Sequence, residues 1–147
     1  MASFLNTAEI DAYHQAINDH FDTFKRQIIV HKEPIKKVIQ NTTNQILGYQ
    51  EDSNIVDYEY IPRNNTFDAI IKYTDSTDNL AIDPEVRLKF PDQLVEIKVK
   101  KDTKNYIDTD RTEKITFDEK TFNIVSTSVV KNYHGLIYYV YYLKETF

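Results

Sequence analysis

The spacing of apolar residues changes period once along the chain. In residues 6–24, Ile10, Tyr13, Ile17, Phe21 and Phe24 recur at intervals of 3, 4, 4 and 3, which lines one side of an α-helix. Asp11, Asp19 and Asp22 fall off that stripe, and Asn6 followed by Glu9 has the spacing of a capping box. From Gln27 onward the pattern is that of strands. Gln27–His31 is short and β-branched, with Pro34 ending it or marking an edge, and a second strand is expected at Lys36–Ile39. Asn41–Asn44 reads as a turn, and Ile46–Tyr49 could open a further element. Residues 50–66 read as a long acidic and aromatic loop or an irregular strand. Phe67–Tyr73 is the next strand, and residues 75–84 the next loop.

The clearest alternation lies at Leu94–Lys100. Val95, Ile97 and Val99 face one way, and Glu96, Lys98 and Lys100 the other, as in a half-buried antiparallel strand. Ile115–Phe117, Phe122–Thr127 and Leu136–Leu143 complete the set. Asp118-Glu119-Lys120 has hairpin length, and Asn132–Gly135 the composition of another turn. The expected fold is mainly β: an antiparallel β-barrel or sandwich of six or seven strands behind an N-terminal helix. All 147 residues fit one domain, with the helix at 6–24 and the barrel at about 27–145.

Composition narrows the chemistry. The chain has no cysteine, which excludes disulfides, thiolate metal sites and cysteine nucleophiles. With two glycines, Gly48 and Gly135, it cannot form a glycine-rich phosphate loop. A net charge of -5 argues against wrapping nucleic acid by phosphate neutralisation. Residues 50–93 concentrate the acidity, with ten acidic against four basic residues, a net of -6. Solvated loops explain that excess; so would an acidic surface that repels a polyanion or meets a basic partner.

His14 and His20 are six apart on the helix and point in different directions, and no HxH or HExxH surrounds His31 or His134. No glycine-flanked nucleophile turn is present, and paired carboxylates such as Asp108 and Asp110 sit in loop-like contexts. The expectation is therefore no enzyme, no cofactor and no metal. No signal-peptide pattern opens the sequence, and the most apolar run, Leu136–Leu143, is far shorter than the roughly 20 residues a membrane helix needs. The sequence is read as soluble, made in a cytoplasm, and free of membrane.

Aromatic residues stand out: eleven tyrosines and eight phenylalanines, with no tryptophan. In the last strand Tyr138 and Tyr142 share a face with Leu136 and Val140, while Tyr139 and Tyr141 share the other with Ile137 and Leu143. One face can fill the core. The other needs cover from the helix, a loop or a second subunit. Base stacking is a third use of tyrosines, but the basic strip Lys98, Lys100, Lys101 and Lys104 is diluted by Glu96, Asp102, Asp108 and Asp110.

Three segments carry a resemblance. The helix leading into Phe21–Pro34 resembles the start of neck (head-completion) proteins of tailed bacteriophages, particularly the contractile-tailed type. Ile115–Ser126 is similar to the strand, Asp-Gly-Lys turn and aromatic strand of phage head-closure proteins, with Glu119 where glycine is usual. Gly135–Glu145 resembles their last strand. The resemblance implies a structural virion protein of the head-to-tail neck, synthesised in the host cytoplasm. It would form a homo-oligomeric ring, of six copies in preference to twelve, that closes the packaged head and docks the tail. Its partners would be the portal-side connector protein and the tail terminator, with genome DNA passing through the lumen without specific binding. A tail terminator, another ring-forming adaptor and a small β-barrel binding module are the alternatives. The residues expected at interfaces or lumen are Tyr58, Tyr60, Asp75, Asp78 and Asp83, from the 50–66 and 75–93 segments, with Tyr139 and Tyr141 on the last strand.

Overall fold

A computed structural model describes residues 4–39, 57–73 and 94–147. Helix α1 spans Thr7–Phe24, and its capping box forms as the sequence indicates: Asn6 Oδ1 accepts from the Glu9 N–H at 2.9 Å, and the Glu9 carboxylate from the Asn6 N–H at 2.8 Å. Only Phe21 of the apolar stripe is fully buried; Tyr13 and Phe24 stay exposed. Seven strands follow: β1 (Arg26–Ile39), β2 (Asp57–Tyr73), β3 (Leu94–Val99), β4 (Thr112–Phe117), β5 (Lys120–Ile124), β6 (Val129–Tyr133) and β7 (Leu136–Thr146). A second helix, α2 (Lys101–Asp108), sits between β3 and β4.

The strands are antiparallel in the order β3-β2-β1-β4-β5-β7, and β7 pairs back onto β3. Six strands therefore close a barrel, which decides against the sandwich. The seventh, β6, lies along the same edge of β7 as β5 but further from the C-terminus. Between β5 and β6 the ladder is held by the Val125 N–H on the Tyr142 carbonyl and by the Ser126 hydroxyl, which accepts from the Tyr142 N–H.

Alternation fills the interior. Ile28 and Val30, Ala69, Val95, Ile97 and Val99, Ile115 and Phe117, Phe122, and Tyr141 and Leu143 make one core cluster, plugged by Ile107 of α2. Phe117 and Phe122 stack with ring centroids 4.2 Å apart across the β4–β5 pair. The outward face of β7 is covered as well. Tyr138 packs on Phe21 of α1 at 5.2 Å and donates to Asn18 at 2.7 Å, while Val140 and Tyr142 cluster with Leu94, Val125 and Val129. An internal layer, rather than a second subunit, satisfies the tyrosines of this strand.

Several elements depart from the sequence expectation. Pro34 does not divide β1, because it lies at a register shift between Lys32 and Ile35, where a missing N–H costs no ladder bond. Of the two readings of residues 50–66, the irregular strand holds over 57–66, which continue β2 and pair with β1 on both sides of that shift. Lys101–Asp108, read only as a basic strip, is helical, and Val129–Tyr133 is a strand. Both hairpin turns fall where expected. Asp118 and Glu119 take φ of 50° and 60°, His134 and Gly135 φ of 51° and 99°, the left-handed pairs that a two-residue hairpin turn requires.

Candidate functional site

β1 and β2 are longer than the barrel needs. β4 pairs with β1 only over Ile29–Lys32, and β3 with β2 only over Ala69–Tyr73. Residues 35–39 of β1 and 57–61 of β2 pair with each other and, among the described residues, with no further strand. Among the described residues they form a two-stranded arm with no strand on either outer edge. Its register places Ile35 opposite Ile61, Lys36 opposite Tyr60, Lys37 opposite Glu59, and Val38 opposite Tyr58. One face therefore carries Ile35, Ile39 and Ile61, and the other Val38, Tyr58 and Tyr60.

All six side chains are exposed, Tyr60 by 61% and Tyr58 by 46%. They fall three to a face, each set interleaved with charge: Lys37, Glu59 and Asp57 beside the isoleucines, and Lys36 beside the tyrosines. Lys36 Nζ lies 3.5 Å from the Tyr58 ring centroid, a cation–π contact that steadies the tyrosine face.

The root of the arm is clamped. Lys32 is 4% exposed, and its Nζ donates to the carbonyls of Ile107 (2.8 Å), Thr109 and Asp110 (3.2 Å) and to Thr112 Oγ1 (2.9 Å). Those carbonyls belong to the C-terminal end of α2 and the turn after it, where a cation also meets the negative end of the helix dipole. Burial pushes the Lys32 ammonium pKa down, against the pull of Asp110. The Arg63 guanidinium donates to the Glu33 carbonyl at 2.8 and 3.1 Å and to Asp110 at 3.0 Å, and the Glu33 N–H donates to the Arg111 carbonyl. The arm thus leaves a fixed base. Nothing in the run Lys32-Glu33-Pro34 distinguishes a buried lysine from a solvated one, so this clamp is invisible in sequence.

The residues expected at interfaces separate into three groups. Tyr58 and Tyr60 are brought together on one face of the arm. Asp75, Asp78 and Asp83 lie outside the described residues. Tyr139 is half-buried against the barrel core, with Lys104 Nζ 5.2 Å from its ring. Tyr141 corrects the expectation: it is 2% exposed, its ring inside the barrel and its hydroxyl donating to Asp108 at 2.8 Å, so it presents nothing to a partner. Burial, then the Asp108 contact, raises the Tyr141 pKa. Burial also pushes the Asp108 carboxyl up, but hydrogen bonds from Lys104 and Tyr141 outweigh it and hold the pKa below the usual carboxylate value.

Two concavities lined by described residues adjoin the barrel. One, of about 160 Å³, lies between α1 and the wall, where Lys98 Nζ donates to the Tyr133 hydroxyl at 3.1 Å. The other, about 430 Å³, runs beside α2 and is lined by Asp108, Thr112, Ser126, Ser128 and Tyr141. In the second, Asp108 accepts from Lys104 and Tyr141, and the Ser126 hydroxyl accepts from the Tyr142 N–H. Among the described residues no three His, Asp or Glu side chains converge as metal ligands, and no helix is long and apolar enough to cross a membrane. Compared with known family models, curated proteins and solved structures, the chain matches none.

Proposed function

We propose that this chain is a structural subunit of a ring, serving in the head-to-tail neck of a tailed bacteriophage, where it closes the packaged head and docks the tail. The observation that carries the reading is the arm: a clamped two-stranded ribbon with exposed apolar side chains on both faces and, among the described residues, no strand on either outer edge, leaving a barrel whose six strands close. A surface of this kind is stable in water only at a cost, and a neighbouring molecule removes it. The resemblance of Phe21–Pro34, Ile115–Ser126 and Gly135–Glu145 to phage neck proteins supplies the biological setting. Contacts that run head to tail close into a ring when the rotation between copies permits. The net -6 of residues 50–93 suits a lumen through which DNA slides without adhering.

The test is assembly. Light scattering at rising protein concentration, then with a phage portal-side connector protein, should give discrete multiples of the subunit or a defined complex with the connector. A mass that stays at one subunit throughout, with no complex, contradicts the proposal.

A further inference from the structure

We infer that the arm adds a strand to a second copy of this chain, the outer edge of β2 at Asp57–Ile61 pairing antiparallel with the outer edge of β6 at Val129–Tyr133. The inference rests on the ring-subunit reading and names the contact that would build the ring. Among the described residues, these two five-residue segments each lie on an open edge: β6 pairs only with β7, and this part of β2 only with β1. Both edges show apolar side chains to solvent, Val130 being 55% exposed.

The side chains select one register. Setting Glu59 opposite Lys131 in the antiparallel sense puts Tyr60 against Val130 and Ile61 against Val129. Neither Glu59 nor Lys131 makes an ion pair among the described residues; Lys37 faces Glu59 across the β1–β2 ladder, so the contact gives Lys131 an acidic neighbour and Glu59 a second basic one. The parallel sense would place Tyr60 opposite Asn132 and lose the apolar match.

Backbone polarity agrees with that register. Pro62 has no N–H, which an edge strand accommodates where that group would point outward; by alternation Tyr58 and Tyr60 turn their N–H and C=O outward too. On β6, Tyr133 and Leu136 close the two-residue turn as a bonded pair, so Asn132 and Val130 face outward. Tyr60–Val130 and Tyr58–Asn132 then become the hydrogen-bonded pairs, with Glu59–Lys131 the close, non-bonded pair between them. Because edge β2 meets edge β6 and neither meets itself, the contact is heterologous and propagates from copy to copy. In strand addition the backbone groups of the two edges supply the bonds, and the exposed Tyr60, Ile61 and Val130 side chains add apolar contact.

Since the chain has no cysteine, a disulfide can report the register directly. Glu59→Cys and Lys131→Cys are made separately, and the two full-length variants are mixed under mild oxidation. The expected product is a covalent heterodimer from the mixture and no covalent dimer from either variant alone, because the non-bonded pair falls within disulfide reach. No heterodimer, or a homodimer from Glu59→Cys alone, overturns the pairing. In parallel, Glu59→Lys should lower the assembled fraction about tenfold, and combining it with Lys131→Glu should restore it; no rescue also overturns the pairing. Wild-type protein is followed by light scattering alongside. If it assembles while the cross-link and rescue fail, the pairing is wrong and the ring reading stands; if it stays at one subunit, both fail.

Discussion

β7 and the arm are both rich in tyrosine and β-branched residues, and they reach opposite ends. Both carry apolar side chains on two faces, the arm with Lys36, Lys37, Asp57 and Glu59 set among them. β7 is covered on both: inward by the barrel core, outward by Phe21 of α1 and by the Leu94 cluster. The arm is covered on neither. Apolar content therefore does not decide burial; what decides it is whether neighbouring elements are long enough to reach the face. β4 and β3 stop pairing with β1 and β2 at Lys32 and Ala69, and residues 35–39 and 57–61 pair, among the described residues, only with each other.

The sharpest way to break the contrast is to cut each region separately. Phe122→Ala, at a side chain with no exposure stacked on Phe117, should cost about 3–5 kcal/mol of folding free energy in urea unfolding. Tyr60→Ala should change the same measurement by no more than about 0.5 kcal/mol, because the ring touches solvent instead of core. An equal loss from both would mean the arm is part of the folding unit. Next in size is Lys32→Met, which strips the Ile107, Thr109 and Asp110 carbonyls of their donor and should cost about 1–3 kcal/mol. Faster amide exchange in 35–39 and 57–61, beyond the change in the barrel, would place the loss at the arm's root.

Glu119→Gly works in the other direction. Glu119 holds φ of 60°, a left-handed conformation that glycine adopts without a Cβ clash, so stability should rise by about 1 kcal/mol, with assembly unchanged.

The smallest effects are in pH. The Tyr141 pKa is higher folded than unfolded, so its contribution is full below pH 10.0 and is lost as pH rises from there through the folded value. Tyr141→Phe should flatten the alkaline arm of the stability profile. Asp108 has the opposite sign: its folded pKa lies below 3.8, so its contribution is present above that value and is lost as pH falls through the folded pKa. Asp108→Asn should flatten the acid arm.

The barrel was legible where burial imposes alternation, at Val95, Ile97 and Val99, and the helix where Asn6 and Glu9 cap a 3–4 spacing. The turn at Asp118-Glu119 was legible from its length alone. What escaped is where burial writes no pattern. β2 runs through Pro62 and Asn64-Asn65 because its exposed half has no buried side to keep apolar. α2 is eight residues long and buries only Thr103 and Ile107, too few to print a period. Of the residues expected at interfaces, Tyr58 and Tyr60 are exposed on the arm, and aromatics in a polar context are conspicuous in sequence. Tyr141 misled because a strand apolar on both faces does not say from sequence which neighbours will cover it.

The most direct measurement is the solution mass of the wild-type chain beside Tyr58→Ala/Tyr60→Ala over the same concentration range, with circular dichroism to confirm equal folding. Wild type should reach discrete multiples of the subunit while the double variant stays at one. A double variant that assembles like wild type, or a wild type that never exceeds one subunit alone or with the connector, would contradict an arm that builds the ring.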